Sequence, residues 1–358
     1  MKRLIVHIGP RKTGSTSIQR MLVSLAPALR AEGVHVHLPG VVPSRHRAHL
    51  GLAGEAARAT SPEWTRLAGE VRAAGRDRIV VSEEDFASPR HRDLAALRLA
   101  ELAAREGLDV RIIAYVRPQW QILEAEYSQR ACSHRVAEPF PAFVDDMLRA
   151  GEDTILDYNR VFAPYRERFG ARVRVFPLER AALPDGLARH FLAEVGASAD
   201  LLDRAGGARH NVRRGAKEVE VRRMLRARLP RCLPLPRTLL PELRTVIGDD
   251  APFAGCDARQ IRALNARFAA ANTRLATDYA VHADGVLFQD PEAGLSKGPR
   301  PNVTCWERFE PDVRLRVRCY VLRELGLDLD GGLWSASLCV ARRAARTLLM
   351  RTRTAIST

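Results

Sequence analysis

Lysine is nearly absent from this chain: of 57 basic residues only Lys2, Lys12, Lys217 and Lys297 are lysine, and the other 53 are arginine. Where arginine meets every ordinary need for a solvated cation, a lysine marks a place that wants a compact point charge with a transferable proton. Cysteine is scarce and scattered. Cys132, Cys232, Cys256, Cys305, Cys319 and Cys339 form no CxxC pair and no Cys/His group at zinc-ligand spacing, which speaks against a disulfide framework and a zinc site and for a reducing, cytoplasmic setting. No run of 18 apolar residues occurs, and Met1-Lys2-Arg3 leads straight into Leu4-Ile5-Val6, so neither a spanning helix nor a cleaved signal is expected. Aromatic residues are 6% of the chain, which gives no hint of a greasy, ring-lined pocket. No repeat with a period of 20–50 residues is visible.

What is present is an ordinary globular composition, 46% hydrophobic and 28% charged over 358 residues, enough for roughly two domains or one large domain with an addition. The net charge is +15 and it is clustered. Arg209 to Arg237 carries ten Lys/Arg against Glu218 and Glu220, a net of +8, and Val340 to Thr358 adds five arginines and no acid. Such stretches suit an anionic partner, whether nucleotide, polyanionic acceptor, nucleic acid or acidic membrane surface; in an arginine-rich chain they also serve as solvated surface.

The first 180 residues alternate short branched-chain runs with helical patterns. Leu4–Ile8, Val34–Leu38, Ile79–Ser82, Val110–Val116 and Val173–Pro177 read as strands. Thr16–Leu25 reads as a helix burying Ile18, Leu22 and Leu25. Leu94–Arg105 reads as another, with Arg98, Glu101 and Arg105 outward and Leu97, Leu99 and Leu102 inward. Strand and helix in alternation imply a parallel sheet with right-handed crossovers. The expected fold is a three-layer α/β/α domain with its ligand at the carboxyl ends of the strands. Further on, Lys217–Leu229 reads as a basic helix, Pro230 to Pro241 as a loop and Gln260–Ala280 as a long helix. The proline- and glycine-rich stretch 284–312 reads as the edge of the main domain. That gives a domain over 1–290, including the basic segment 209–237, and helical additions in an extension over 291–358 whose role the sequence leaves open.

The most informative stretch is His7-Ile8-Gly9-Pro10-Arg11-Lys12-Thr13-Gly14-Ser15-Thr16-Ser17-Ile18-Gln19: a strand end, a loop with glycines at GxxxxG spacing, and a helix start. A nucleotide-triphosphatase loop places Lys directly after the second Gly, followed by Ser or Thr for magnesium. Here Ser15 stands in that place, and Lys12 lies two residues before Gly14. One cation and four hydroxyls at a helix start suit a compact, multiply charged anion, and an ordinary N-capping stretch needs no such set. A second group of interest is Ser82-Glu83-Glu84-Asp85-Phe86 at a strand end. Neighbours on an extended chain face opposite ways, so one of Glu83 and Glu84 faces the site; acids here would also serve as helix caps or solvated groups.

The run from His7 to Gln19 resembles the 5′-phosphosulfate loop of sulfotransferases that use 3′-phosphoadenosine 5′-phosphosulfate (PAPS), and is most similar to their bacterial members. The resemblance implies that Arg11, Lys12, Thr13, Gly14, Ser15, Thr16 and Ser17 hold the donor, that Lys12 stabilises the leaving phosphate, and that no metal takes part. Arg111 to Gln129 resembles the family's 3′-phosphate element, with Arg117 as its arginine. The companion serine is replaced by Ala125, and Ser128, one helical turn on, is the substitute. Glu84-Asp85-Phe86 resembles the family's Glu-x-hydrophobic run and implies Glu84 as the general base. Arg209, Asn211 and Arg213 stand where relatives have an Asn-x-Ser segment, with Arg213 in place of the serine, and are candidate donor or acceptor contacts. The resemblance covers about residues 3–290.

The expected activity is sulfuryl transfer from PAPS to an acceptor hydroxyl or amine, with a glycan favoured over a small phenol and no specific nucleic-acid partner. Two other readings stay open: a P-loop kinase or nucleotide hydrolase, and a non-catalytic polyanion binder on a decayed sulfotransferase fold. His35 with His37, and His46 with His49, lack a third partner for a metal. Residues 340–353 have the pattern of a basic helix that would touch a membrane surface or dock on the main domain.

Overall fold

The computed structural model describes residues 1–38, 51–58, 60–74, 78–133, 135–150, 155–205, 214–229, 239–282, 284–293, 305–325 and 327–330. The histidines at 46 and 49, the candidate contacts Arg209, Asn211 and Arg213, and the basic segment 340–353 lie outside these residues. The chain divides into two compact units: residues 1–122, 147–212 and 260–294 form one, and residues 123–146, 213–259 and 295–358 the other.

The first unit is built on five parallel strands, β1 (Arg3–His7), β2 (Val34–Val36), β3 (Arg78–Ser82), β4 (Asp109–Val116) and β5 (Val173–Pro177), in the order β2-β3-β1-β4-β5. All five apolar runs of the sequence became strands. They are nearly continuous in apolar residues because a parallel sheet is covered on both faces. Along β1 the side chains alternate: Leu4 and Val6 enter one core with Ile79, Val81, Ile112 and Ala114, while Ile5 enters the other with Val80, Ile113 and Tyr115.

Among the described residues the helices are α1 (Ser15–Ala31), α2 (Leu52–Glu55), α3 (Pro62–Ala73), α4 (Arg92–Glu106), α5 (Gln119–Cys132), α6 (Phe140–Arg149), α7 (Tyr158–Phe169), α8 (Leu187–Val195), α9 (Ala199–Arg204), α10 (Ala216–Arg228), α11 (Leu239–Ile247), α12 (Ala258–Asp278) and α13 (Pro311–Leu325). Residues of α3, α4 and α7 fill the first core, and those of α1, α8 and α9 the second, which makes the expected three layers. Helix α1 runs six residues beyond the expected Leu25, through Pro27. Pro27 lies on the exposed side near Val23, where the carbonyl left without an amide partner is open to solvent rather than buried. The expectation for Leu97 is corrected: α4 buries Ala95, Ala96, Leu99 and Leu102, and leaves Leu97 40% exposed. Two residues before Leu99 on a 3.6-residue turn, Leu97 points nearly opposite to it.

The second unit has its own core, in which Val221, Met224 and Leu225 of α10 meet Leu243 and Ile247 of α11 and Val313, Val317 and Val321 of α13. The expected loop ends sooner than Pro241, which sits in the first turn of α11, where a missing amide donor costs nothing. Among the described residues no helix is long and apolar enough to cross a membrane.

After β3 the chain makes a single 3-10 turn, Glu84–Ala87. Tyr165 of α7, fully buried, donates its hydroxyl to the Phe86 carbonyl at 2.8 Å and so ties that turn to the first core. Replacing Tyr165 by Phe leaves the carbonyl without this donor. A loss of about 1–3 kcal/mol in unfolding free energy is expected, read as a lower urea midpoint at unchanged slope.

Candidate functional site

In the strand order above, the chain leaves β1 towards β2 on one side and leaves β4 towards β5 on the other. Ligands of open parallel sheets sit in the crevice that such diverging loops create. The loops following β1, β3 and β4 open at this edge, and they carry Arg11 to Ser17, Glu83 to Asp85, and Arg117.

The loop after β1 is tied down at both ends. The Ile8 amide donates to Ile113 O at 3.1 Å, and Gly9 O accepts from the Tyr115 amide at 3.2 Å. Thr13 Oγ1, buried, donates to Pro10 O at 2.6 Å and closes the loop on itself. Both glycines are required. Gly9 has φ +86°, and a Cβ there would stand 3.0 Å from Glu84 O; Gly14 has φ +94°, and a Cβ there would stand 2.2 Å from Leu187 Cδ2. Lys12 also takes a left-handed conformation, φ +68°, which a residue with a Cβ adopts only when its surroundings hold it there.

Gly14 is the N-cap of α1. No side chain caps the helix and no acid lies in its first turn. The first amides of a helix have no intrahelical acceptor and carry the positive end of its dipole, so this end can receive an anion. Ser15 is buried at this start, with Thr16 and Ser17 half-buried beside it.

β1 and β3 pair in register as far as His7 and Ser82, and the Glu83 amide donates to His7 O at 2.9 Å. Gly9 permits the closest approach of the two loops, and there Glu84 meets Ser15, whose Oγ donates to Glu84 Oε2 at 2.6 Å. Arg11 Nε lies 3.6 Å from Glu84 Oε1 and 3.4 Å from Asp85 Oδ1. The alternation expected between Glu83 and Glu84 is what the geometry has. Glu84 turns to the loop, whereas Glu83, 2% exposed, turns inward, and its Oε1 accepts the amides of Gly51 at 3.3 Å and Ala53 at 3.1 Å.

Burial pushes the Glu83 carboxyl up to about 8, aided by the nearby charge of Asp85 and opposed by the amides it accepts. Beneath the loop, burial likewise pushes the His7 imidazole down to about 3 and keeps it neutral. Its Nδ1 meets Ser82 Oγ at 2.8 Å, and its ring packs against Tyr115 and Phe191. Gln19 Nε2 donates to Ser82 O at 3.3 Å. His7, Ser82 and Gln19 thus support the two loops from below. Sequence reasoning assigned them nothing; the available signal was a histidine and a serine, each closing an otherwise apolar run.

Arg117 ends β4. Its carbonyl accepts from the Tyr158 hydroxyl at 2.6 Å and its amide donates to the same oxygen at 3.3 Å, so one buried phenol fixes the backbone. Ser128 is buried on α5 and belongs to the second unit, with Ala125 half-buried one turn earlier. In that unit the basic helix α10 spends much of its charge internally. Arg222, 3% exposed, pairs with Glu218 and donates to Cys132 O at 2.9 Å. Arg223 pairs with Glu220 at 2.7 Å. These arginines stabilise the second unit and present no free cationic face. Among the described residues no three His, Cys, Asp or Glu side chains form a metal-binding group.

Fold and site together define a parallel α/β protein with a glycine-containing loop that leads into an uncapped helix start and a carboxylate hydrogen-bonded to it. No family model matches the chain, and no curated protein matches it. Among solved structures it is similar to the crystal structure of a sulfotransferase from Alicyclobacillus acidocaldarius, at 15% identity and a TM-score of 0.43, over 79% of this chain and 98% of that one.

Glu83 gives this site a pH signature. Its folded value lies above the ordinary 4.5, so the native state holds the proton more tightly than the unfolded chain does. The stability this contributes is fully present below 4.5 and is lost as pH rises to about 8. Urea unfolding of Glu83→Gln and of the parent across pH 5–8 should therefore show the parent losing stability relative to the variant as pH rises. Parallel curves would remove the proton from Glu83.

Proposed function

We propose that this protein transfers a sulfuryl group from PAPS to a hydroxyl or amine of an acceptor, with a glycan as the acceptor class. The observation that carries the reading is the 2.6 Å bond from Ser15 Oγ to Glu84 Oε2. It puts a proton-accepting carboxylate within one hydrogen bond of a helix start that can hold an anion, in a loop whose residues resemble the sulfotransferase phosphosulfate loop. Lys12, one of four lysines in a chain of 53 arginines, lies in the same loop.

In this reading the loop amides, with Thr13, Gly14, Ser15, Thr16 and Ser17, receive the phosphosulfate oxygens. Arg117 takes the 3′-phosphate. The acceptor oxygen or nitrogen attacks sulfur in line, and its proton passes to Glu84. As the new bond to sulfur forms, the bond from sulfur to the phosphate oxygen breaks. Charge then grows on that oxygen, where Lys12 stabilises it as adenosine 3′,5′-bisphosphate departs. A kinase reading has less support, since the place after Gly14 holds Ser15 instead of the lysine such loops use.

Calorimetry with adenosine 3′,5′-bisphosphate, beside adenosine 5′-phosphate and ATP with magnesium, tests the donor. Binding that requires the 3′-phosphate and is lost in Arg117→Ala is expected; preference for ATP with magnesium would replace the reading by a kinase. Lys12→Ala should lower turnover by about 10²–10³-fold, as removal of a transition-state charge partner does, with its thermal midpoint unchanged. Parental turnover in that variant would take Lys12 out of the chemistry.

A further inference from the structure

Arg11 is adjacent to Lys12 in the loop, and the resemblance makes it a donor-binding residue. Its surroundings point elsewhere. Its guanidinium stands between two carboxylates, 3.6 Å from Glu84 Oε1 and 3.4 Å from Asp85 Oδ1. Ser15 holds the opposite oxygen of Glu84. The Glu84 carboxylate is thus gripped on one oxygen by a hydroxyl and faced on the other by a cation. We propose that Arg11 is a positioning residue for Glu84, seated by Asp85, and not a ligand of the donor. The proposal rests on the sulfuryl-transfer reading of the site.

The argument starts from the mobility of the glutamate. Glu84 begins a single 3-10 turn at a strand end, its side chain is 23% exposed, and its rotatable bonds leave the carboxylate loose unless something orders it. A base must stand within hydrogen-bond reach of the proton it takes. Ser15 supplies order through its bond to Oε2, but its hydroxyl has one proton to donate. When that proton turns to a donor oxygen at the start of α1, Glu84 Oε2 is released for the acceptor's proton. Oε1 must then be held by another group, and Arg11 is already beside it. A guanidinium presents five N–H donors in a rigid plane and can serve two carboxylates at once. Asp85, one residue after Glu84, holds Arg11 on the base and away from the anion, for which it would otherwise compete with Lys12.

Steady-state kinetics, bisphosphate calorimetry and crystal structures of Arg11→Gln, Arg11→Lys and Asp85→Asn test this. Arg11→Gln should lower kcat about 100-fold, the scale of a misplaced catalytic group, and leave donor KM and bisphosphate affinity within about twofold. Arg11→Lys should recover part of kcat, Asp85→Asn should lose less than Arg11→Gln, and crystals of Arg11→Gln should show Glu84 turned from Ser15. Donor affinity lost with kcat kept would make Arg11 a donor ligand and overturn the proposal while leaving sulfuryl transfer intact. Should Arg11→Gln not fold, the other two variants report the same split of kcat from KM. If the parent transfers no sulfuryl group, the functional reading fails by itself. The crystal structures still decide whether Arg11 holds Glu84, and an unmoved Glu84 would overturn that.

Discussion

β1 is hydrogen-bonded on both sides, to β3 and to β4, and its side chains are buried on both faces. A strand so enclosed cannot slip by one residue without turning every side chain to the wrong core. Its register therefore fixes where its loop begins relative to its neighbours. His7 lies opposite Ser82 and Ile113, so the loop, the acids after Ser82 and the arginine after Val116 start from one edge. The meeting of Ser15 with Glu84 follows from strand pairing, across a separation of 69 residues.

Beneath the charged groups of the loop lies a layer kept uncharged. His7 is neutral because an imidazolium cannot be solvated there, and burial holds Glu83 protonated up to about 8. Neutral supports suit a site with the half-buried charges of Arg11, Glu84 and Asp85 above it, because they add no fixed charge to the balance among those three. The second unit shows the other way to bury charge: Arg222 with Glu218 and Arg223 with Glu220 are each paired and further bonded to backbone carbonyls.

The strands were legible because both faces of a parallel sheet demand apolar residues, which leaves an unbroken run in the sequence. Helix ends and faces were less so. Helix α1 runs past the expected Leu25 through Pro27 on an exposed side, Pro241 reads as a loop but lies in the first turn of a helix, and Leu97 looks like core by type while its angle on α4 sends it to solvent. The candidate site was legible in its parts, since Lys12, Gly9, Gly14 and the hydroxyls lie within a few residues of one another. The stretch from Arg209 to Arg237 read as a cationic surface, because its acids are few. Its two acids, Glu218 and Glu220, lie one helical turn from Arg222 and Arg223, and only folding shows that both acids and Arg222 are buried, with Arg223 half-buried against Glu220.

By itself, the sequence determined the parallel α/β architecture and the polar residue set of the loop, because both are local: a strand's burial and a helix start's polarity are written in adjacent residues. The tertiary structure decided which acid faces that loop, that the other is folded inward onto the amides of Gly51 and Ala53, and that Arg11 lies between Glu84 and Asp85. Those outcomes depend on which strands lie side by side and in what register. That is set by the burial of the whole sheet, and no single stretch of the chain records it.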